Sequence, residues 1–328
     1  MTDVNNQQYV NATGNSMTAA FIEGYGEQQR VQLGQRPVPS VAADQVLIEV
    51  QAAGVNPVDF HIRNGMIADS GTHTLPLILG WDAAGKVVAR GNAVSQHNIG
   101  DEVFVFAPID RQGSYAQFIA VDASLVVKKP RSLTMLESAA VPLAAVTAWQ
   151  GLVDDGRLAA GQKVLIVGAS GGVGGFAVQI AKALGAHVTA SASGKNAAYV
   201  KSLGADEFID YQRQDFTEEV ADMDLVLVIS SGGDLVKRAF AVVKAGGRVV
   251  STLDDVAPEC VARSGVNFSR MWVRPDGEDL AHIAQLIDDG DVRVHLDRVF
   301  PLADINAAIQ RSEAQLAVGK MVIDLAQD

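Results

Sequence analysis

VLIVGASGGVGGFAVQIAKALG, Val164 to Gly185, decides the fold. Val164–Val167 are four apolar residues in a row and predict a buried parallel strand. Gly168, Ala169, Ser170, Gly171, Gly172, Val173 and Gly174 follow as a glycine-rich turn. From Gly175 the apolar residues Phe176, Val178, Ile180, Ala181 and Leu184 recur at helical spacing, and Gly185 suits a C-terminal cap. A glycine turn between strand and helix lets phosphate oxygens approach the backbone. The helix N-terminus then meets them with free N–H groups and a partial positive charge. This is a dinucleotide-binding arrangement, with Ala169 standing where the usual pattern has its first glycine. The plainer alternative is a closely packed turn that binds nothing.

The rest of the chain sets the frame around this unit. Its 328 residues suggest two domains. A hydrophobic fraction of 48% with 20% charged residues is ordinary for a globular protein. The net charge of −12 argues against a nucleic-acid partner. No apolar run approaches the roughly 18 residues that span a bilayer, so no membrane partner is expected. Cys260 is the one cysteine; it permits no intrachain disulfide and no cysteine zinc cluster, and a reducing, cytoplasmic location fits. Residues 1–16 are polar, rich in Asn and Gln, and read as a weakly ordered extension, or as upstream sequence if Met17 is the natural start.

From Met17 to about Phe118 short β-like runs dominate: Met17–Ile22, Gln45–Ala53, Ala84–Arg90, Glu102–Phe106 and Tyr115–Val121. Val55–Gly65 reads as a turn entering a short helix. After about Ala139 the pattern alternates. Beyond Val167 it predicts helix 172–184, strand His187–Ala190, helix Asn196–Leu203, strand Glu207–Ile209 and helix 215–221. Strand Leu225–Ile229, helix Leu235–Lys244 and strand Arg248–Ser251 follow, with Val266–Val273 closing a parallel sheet. Leu280–Asp288 is an amphipathic helix. Val292–Leu296, a helix Asp304–Ser312 and a strand Lys320–Leu325 end the chain.

Several segments in this order resemble the medium-chain dehydrogenase/reductase superfamily, and more closely its zinc-free quinone oxidoreductase branch. They are Ala53–Asp59 (AGVNPVD), Leu79–Gly85 (LGWDAAG), Gly100–Val103 (GDEV), Gly113–Ala116 (GSYA), Pro142 with Thr147–Trp149, the glycine turn, and Val318-Gly-Lys320. The resemblance implies an α/β fold in which a doubly wound Rossmann sheet is inserted in a GroES-like, β-rich catalytic domain. The expected division is an extension over 1–16, the catalytic domain over 17–139 and 274–328, and the NADPH-binding domain over 140–273. An active site in the cleft between domains and a homodimer through Val266–Val273 are implied as well. Zinc alcohol dehydrogenases carry a cysteine where this chain has Asn56 and a His-Glu pair where it has Trp81-Asp82. Their third ligand falls near Leu143. Only Asp82 offers a zinc donor among these, so no metal is expected.

Without zinc, hydride transfer suits an acceptor already activated by conjugation: a quinone, enal or enone. Alternatives are an enoyl-thioester reductase and a non-catalytic NADPH-binding sensor or scaffold. The catalytic candidates are Asn56, an amide on the turn that can bind substrate oxygen or merely stabilise the turn before Pro57; Asp59, which can fix that turn; and His61, a possible proton donor where some relatives carry Tyr. The resemblance places Thr147 beside the nicotinamide and adds Lys320 to the cofactor-binding set. Trp81, Phe106, Met66 and Trp272 read equally as pocket walls or core. An NAD-type site has Asp or Glu after its second strand, but His187–Ala205 contains none. Ser191, Ser193 and Lys195 stand there instead, and Tyr211 matches a tyrosine that relatives use at the 2′-phosphate. NADPH is therefore the expected cofactor, together with a small electrophilic substrate.

Overall fold

The computed structural model describes residues 15–326, with Arg263 described by its backbone alone. The chain divides into two units. One comprises residues up to Leu143 together with Pro275–Gln285 and Val294 onward; the other comprises Ala144–Arg274 and Leu286–Arg293.

The first unit is β-rich. Its N-terminal strands are β1 (Ser16–Ile22), β2 (Gln32–Pro37), β3 (Gln45–Val55), β4 (Leu77–Ile78), β5 (Asp82–Arg90), β6 (Glu102–Phe106), β7 (Phe118–Asp122) and β8 (Val127–Lys128). Strands β2, β1 and β4 form a small sheet. The larger one is organised by β3, an eleven-residue strand. One edge of β3 pairs with β5 from Val46 to Gly54. The other edge is shared: β7 takes Gln45–Glu49, and the last strand of the chain takes Ala52–Val55. That register brings the start of the last strand, the end of β3 and the start of β5 side by side.

In the second unit β9 (Lys163–Val167), β10 (His187–Ala192), β11 (Glu207–Asp210), β12 (Met223–Val228), β13 (Val243–Ser251) and β14 (Asn267–Arg270) form a parallel sheet in the order β11-β10-β9-β12-β13-β14. This is the doubly wound order, whose switch point lies between β9 and β12. Leu165, Val167, Val226, Val228 and Val249 pack with Phe216, Met223 and Val236 in one core layer. Strands β15 (Leu296–Pro301) and β16 (Lys320–Asp324) return to the first unit and join β3.

Several boundaries differ from the sequence reading. Ser16, expected in the N-terminal extension, pairs with Pro37 in β1; residues 1–14 of that expected extension lie outside the described residues. β2 was not anticipated, because QLGQRP alternates weakly and becomes a strand through pairing with β1. The helix expected over Leu235–Lys244 stops at Ala239. Met223 donates its N–H to the Val242 carbonyl and pairs with Val243, which draws that segment into β13. A helix at Pro258–Ser264 was also missed. Residues 286–293 stay with the second unit because the buried Gln179 amide bonds both backbone groups of Arg293, at 2.8 and 3.1 Å.

The glycine turn after β9 is packed from both sides. Gly168 has φ +97°, a left-handed value that disfavours any side chain. A Cβ on Gly174 would run into the Gly168 carbonyl and sit 2.7 Å from Ala169 Cα. Gly174→Ala is therefore expected to destabilise the protein by about 1–3 kcal/mol. A urea titration checks this; an unchanged midpoint would show that the turn opens to admit a methyl group.

Candidate functional site

In the first unit the three adjacent strand ends carry a buried polar cluster. Asn56 follows β3, Asp82 opens β5 opposite Gly54, and Lys320 opens β16. All three are buried, Asp82 completely. The Lys320 ammonium donates to the Val55 carbonyl at 3.0 Å and to Asn56 Oδ1, and lies 3.7 Å from an Asp82 oxygen. Asn56 Nδ2 donates to Asp82 Oδ2 at 2.8 Å, and the Leu143 N–H to Asp82 Oδ1 at 2.7 Å. Gly54 is required here, since a Cβ would stand 2.7 Å from Asp82 Oδ2. Burial pushes the Asp82 carboxyl up and the Lys320 ammonium down; each charge opposes the other's shift.

Asp59 sits one turn into the helix Pro57–Arg63, which Pro57 starts with its fixed φ. Its Oδ2 accepts the Asn56 N–H at 2.8 Å and the Tyr115 hydroxyl at 2.6 Å, while Oδ1 has no protein partner. Tyr115 fits over Gly80, whose φ of +81° and missing Cβ make room for the ring. Burial raises the Asp59 pKa to about 7 against the pull of these donors and of Lys320. His61, on the same helix, is half-buried; burial lowers its pKa and Glu313 opposes the shift. Arg63 anchors the helix end by bonding both Glu313 oxygens, at 3.0 and 2.9 Å. Trp81 and Phe106 are core residues, whereas Met66 and Trp272 are largely exposed.

In the second unit the glycine turn hangs on β10: the Ser191 carbonyl accepts the N–H groups of Gly168 and Ala169 at 3.1 and 3.0 Å. Ser191 is itself buried, so it supports the turn through its backbone. Ser170, Gly171, Gly172 and Val173 are half-exposed and Gly174 is buried, at the start of the helix Gly172–Ala183. Space lies open beside Gly171, where a Cβ would meet nothing nearer than 3.7 Å. The first N–H groups of a helix lack intrahelical partners, so this cradle fits a dinucleotide pyrophosphate. Asn196 Nδ2 donates to Ser170 Oγ at 3.0 Å and ties the turn to the loop after β10. On that rim the Ser193 hydroxyl donates to Gln212, Lys195 is exposed, and Tyr211 is 61% exposed. Asp210 reaches the rim too, where its carboxylate accepts the Gly194 N–H at 2.9 Å and lies 3.7 Å from Arg213. Thr147 is buried on the helix Pro142–Leu152.

Asn56 and Asp59 are thus brought together, while Lys320, expected among the cofactor residues, has its ammonium committed to Asn56 and Asp82. Tyr115 carries no signal as a partner of Asp59 beyond its place in the Gly113–Ala116 motif, because their contact depends on the fold. Asn196 and Asp210 carried no signal, since their use depends on which loops meet.

A raised carboxyl pKa in the folded state favours folding at low pH. The contribution is full below the ordinary carboxylate pKa of about 3.9 and is lost as pH rises through about 7. Asp59→Asn keeps an oxygen for both donors and removes the charge. It is expected to match wild-type stability near pH 4 and to exceed it increasingly up to about pH 8. Urea midpoints across that range test this; a difference independent of pH would contradict the assignment.

The Alcohol dehydrogenase GroES-like domain profile matches residues 42–131, the Zinc-binding dehydrogenase profile residues 203–323, and the Alanine dehydrogenase/PNT C-terminal domain profile residues 149–231. The "NAD(P)H oxidoreductase RTN4IP1, mitochondrial" of Danio rerio is 32% identical over 95% of this chain and 92% of that protein. The "NADPH-dependent alkenal/one oxidoreductase, chloroplastic" of Arabidopsis thaliana is 34% identical over 87% and 73% respectively. The solved quinone oxidoreductase of Coxiella burnetii superposes with a TM-score of 0.88 at 30% identity, covering 94% of this chain and 99% of that one. The donors at Asn56, Trp81, Asp82 and Leu143 do not fit a zinc ion, because the one carboxylate is taken by Lys320, Asn56 and the Leu143 N–H. A GroES-like domain combined with a doubly wound nucleotide-binding sheet, and relatives aligned along nearly the whole chain, lead to one conclusion: this chain belongs to the medium-chain dehydrogenase/reductase superfamily, among its quinone oxidoreductase homologues.

Proposed function

We propose that the protein is a zinc-independent, NADPH-dependent reductase of quinones or α,β-unsaturated carbonyls. The observation that carries this reading is the strand-end cluster, in which a lysine ammonium lies against the carboxylate that a metal would need. Without a Lewis acid, polarisation of the acceptor falls to hydrogen bonds, which suits an acceptor whose conjugation already lowers the barrier. Relatives named as alkenal/one and quinone oxidoreductases support the same class.

NADPH, when bound, supplies the hydride. The chain's residues bind it by its phosphates, orient the acceptor and stabilise the charge that results. As the β-carbon of an enone receives the hydride and its electron pair, the π electrons shift to the carbonyl oxygen. Asn56 is the donor assigned to that oxygen. The α-carbon then takes a proton from water. Water is preferred to His61 for that role, since burial lowers the pKa of the half-buried imidazole against the pull of Glu313.

The preference for NADPH rests on the rim after β10. Lys195 and Tyr211 offer an ammonium and a hydroxyl there, beside a buried Ser193 whose hydroxyl is bonded to Gln212, while Asp210 is turned to backbone donors and to Arg213. Among the described residues no helix is long and apolar enough to cross a membrane. A cytosolic homodimer completes the reading; β14 ends the order of its sheet and can offer an edge to a second copy.

NADPH oxidation measured against quinones, enals, enones and enoyl thioesters, with products identified, tests the substrate class. Turnover confined to enoyl thioesters, or absent throughout, would overturn it. In the same protein, Lys195→Ala should weaken NADPH binding about tenfold or more, the loss of one charge-assisted hydrogen bond of roughly 1.5–3 kcal/mol. NADH binding should hardly change. Equal affinity of the wild type for the two cofactors would refute the NADPH assignment.

A further inference from the structure

Chemistry alone fixes which way the Asn56 amide points. An ammonium can only donate, so the atom facing Lys320 Nζ is Oδ1; a carboxylate can only accept, so the atom facing Asp82 Oδ2 is Nδ2. Turning the amide over would set its NH2 against the ammonium and its oxygen against the carboxylate. The backbone N–H of Asn56 is taken by Asp59 Oδ2. What the residue has left to donate is the second hydrogen on Nδ2. An ammonium at Oδ1 also draws electron density toward the oxygen, which makes that hydrogen a better donor.

We infer that Lys320, together with Asp82, is a positioning residue that locks the Asn56 amide as a donor toward the substrate oxygen on which charge develops. This rests on the reductase reading above and deepens it: the pair acts on the reaction through Asn56 and touches neither substrate nor cofactor. The register of the sheet enforces the arrangement. β16 pairs Met321 with Val55, which sets Lys320 beside the carbonyl of Val55 and the side chain of Asn56. The same geometry explains why one buried cation is matched to Asp82. Removing it alone would leave a buried carboxylate with nothing to offset it.

The test removes both charges together, so that folding is not the issue. Lys320→Met combined with Asp82→Asn leaves Asn56 in place but free to turn over, and retains an oxygen at position 82 for the Leu143 N–H. In enone reduction kcat should fall about tenfold or more, with KM for NADPH within about twofold of wild type. Losing an oxyanion donor outright typically costs 10²–10³-fold, so Asn56→Ala in the wild-type background should fall in that range. In the doubly changed background Asn56→Ala should cost much less. A folded double variant with unchanged kcat, or strictly additive losses, would overturn the inference. Should the wild type reduce no electrophile, it is the reductase reading that fails. The inference is then decided by the Asn56 side-chain amide signals in a deuterated, nitrogen-15-labelled sample, assigned by their loss in Asn56→Ala. Two widely split hydrogens that collapse together in the double variant support the lock; the same signals in both proteins overturn it.

Discussion

A lysine ammonium enclosed at the ends of three strands is the contact on which the first unit depends. Lys320 binds the carbonyl that ends β3 and the amide that begins the next turn, and it faces the carboxylate that begins β5. Such a pair gains little on balance over apolar residues of the same size, because both charges give up water. Breaking it from one side is a different matter and costs about 3–5 kcal/mol. In the observed register of β16 against β3 the ammonium meets Asn56 Oδ1 and the carboxylate meets Asn56 Nδ2, which matches one orientation of the amide.

Asp59 and Tyr115 extend this cluster on its other side. The carboxylate holds the Asn56 backbone, so main chain and side chain of that residue are fixed by separate groups. Two acids and one ammonium share the buried region, and burial lifts the Asp59 pKa to about 7. The helix that carries Asp59 is secured at its far end by Arg63 and Glu313. A turn held at so many points suits a group that must meet a developing charge without reorganising.

The second unit solves its problem with backbone rather than side chains. Ser191 lends its carbonyl to the glycine turn, Gly174 lets turn and helix touch, and Asn196 braces Ser170. The exposed rim, where Lys195 and Tyr211 stand on neighbouring connections after β10 and β11, is where the proposed preference for NADPH would be set.

Local sequence specifies the parallel strand-and-helix unit, because a strand, a glycine turn and an amphipathic helix are patterns set by the periods of the chain and the sterics of glycine. It also marked Asn56 and Asp59, which stand three residues apart on one turn. It misplaced the end of the helix after Leu235, where pairing with Met223 overrides local propensity. It missed β2, an edge strand with almost no apolar alternation. The use of Lys320 was decided by tertiary structure alone. Lysine at a strand start reads as a solvated cation or an anion's partner, and nothing local says otherwise. Only when β16 pairs with β3 does a residue 264 positions away in sequence close on Asn56. Once water is excluded there, the ammonium must find oxygen acceptors, and the acceptors it finds fix the amide.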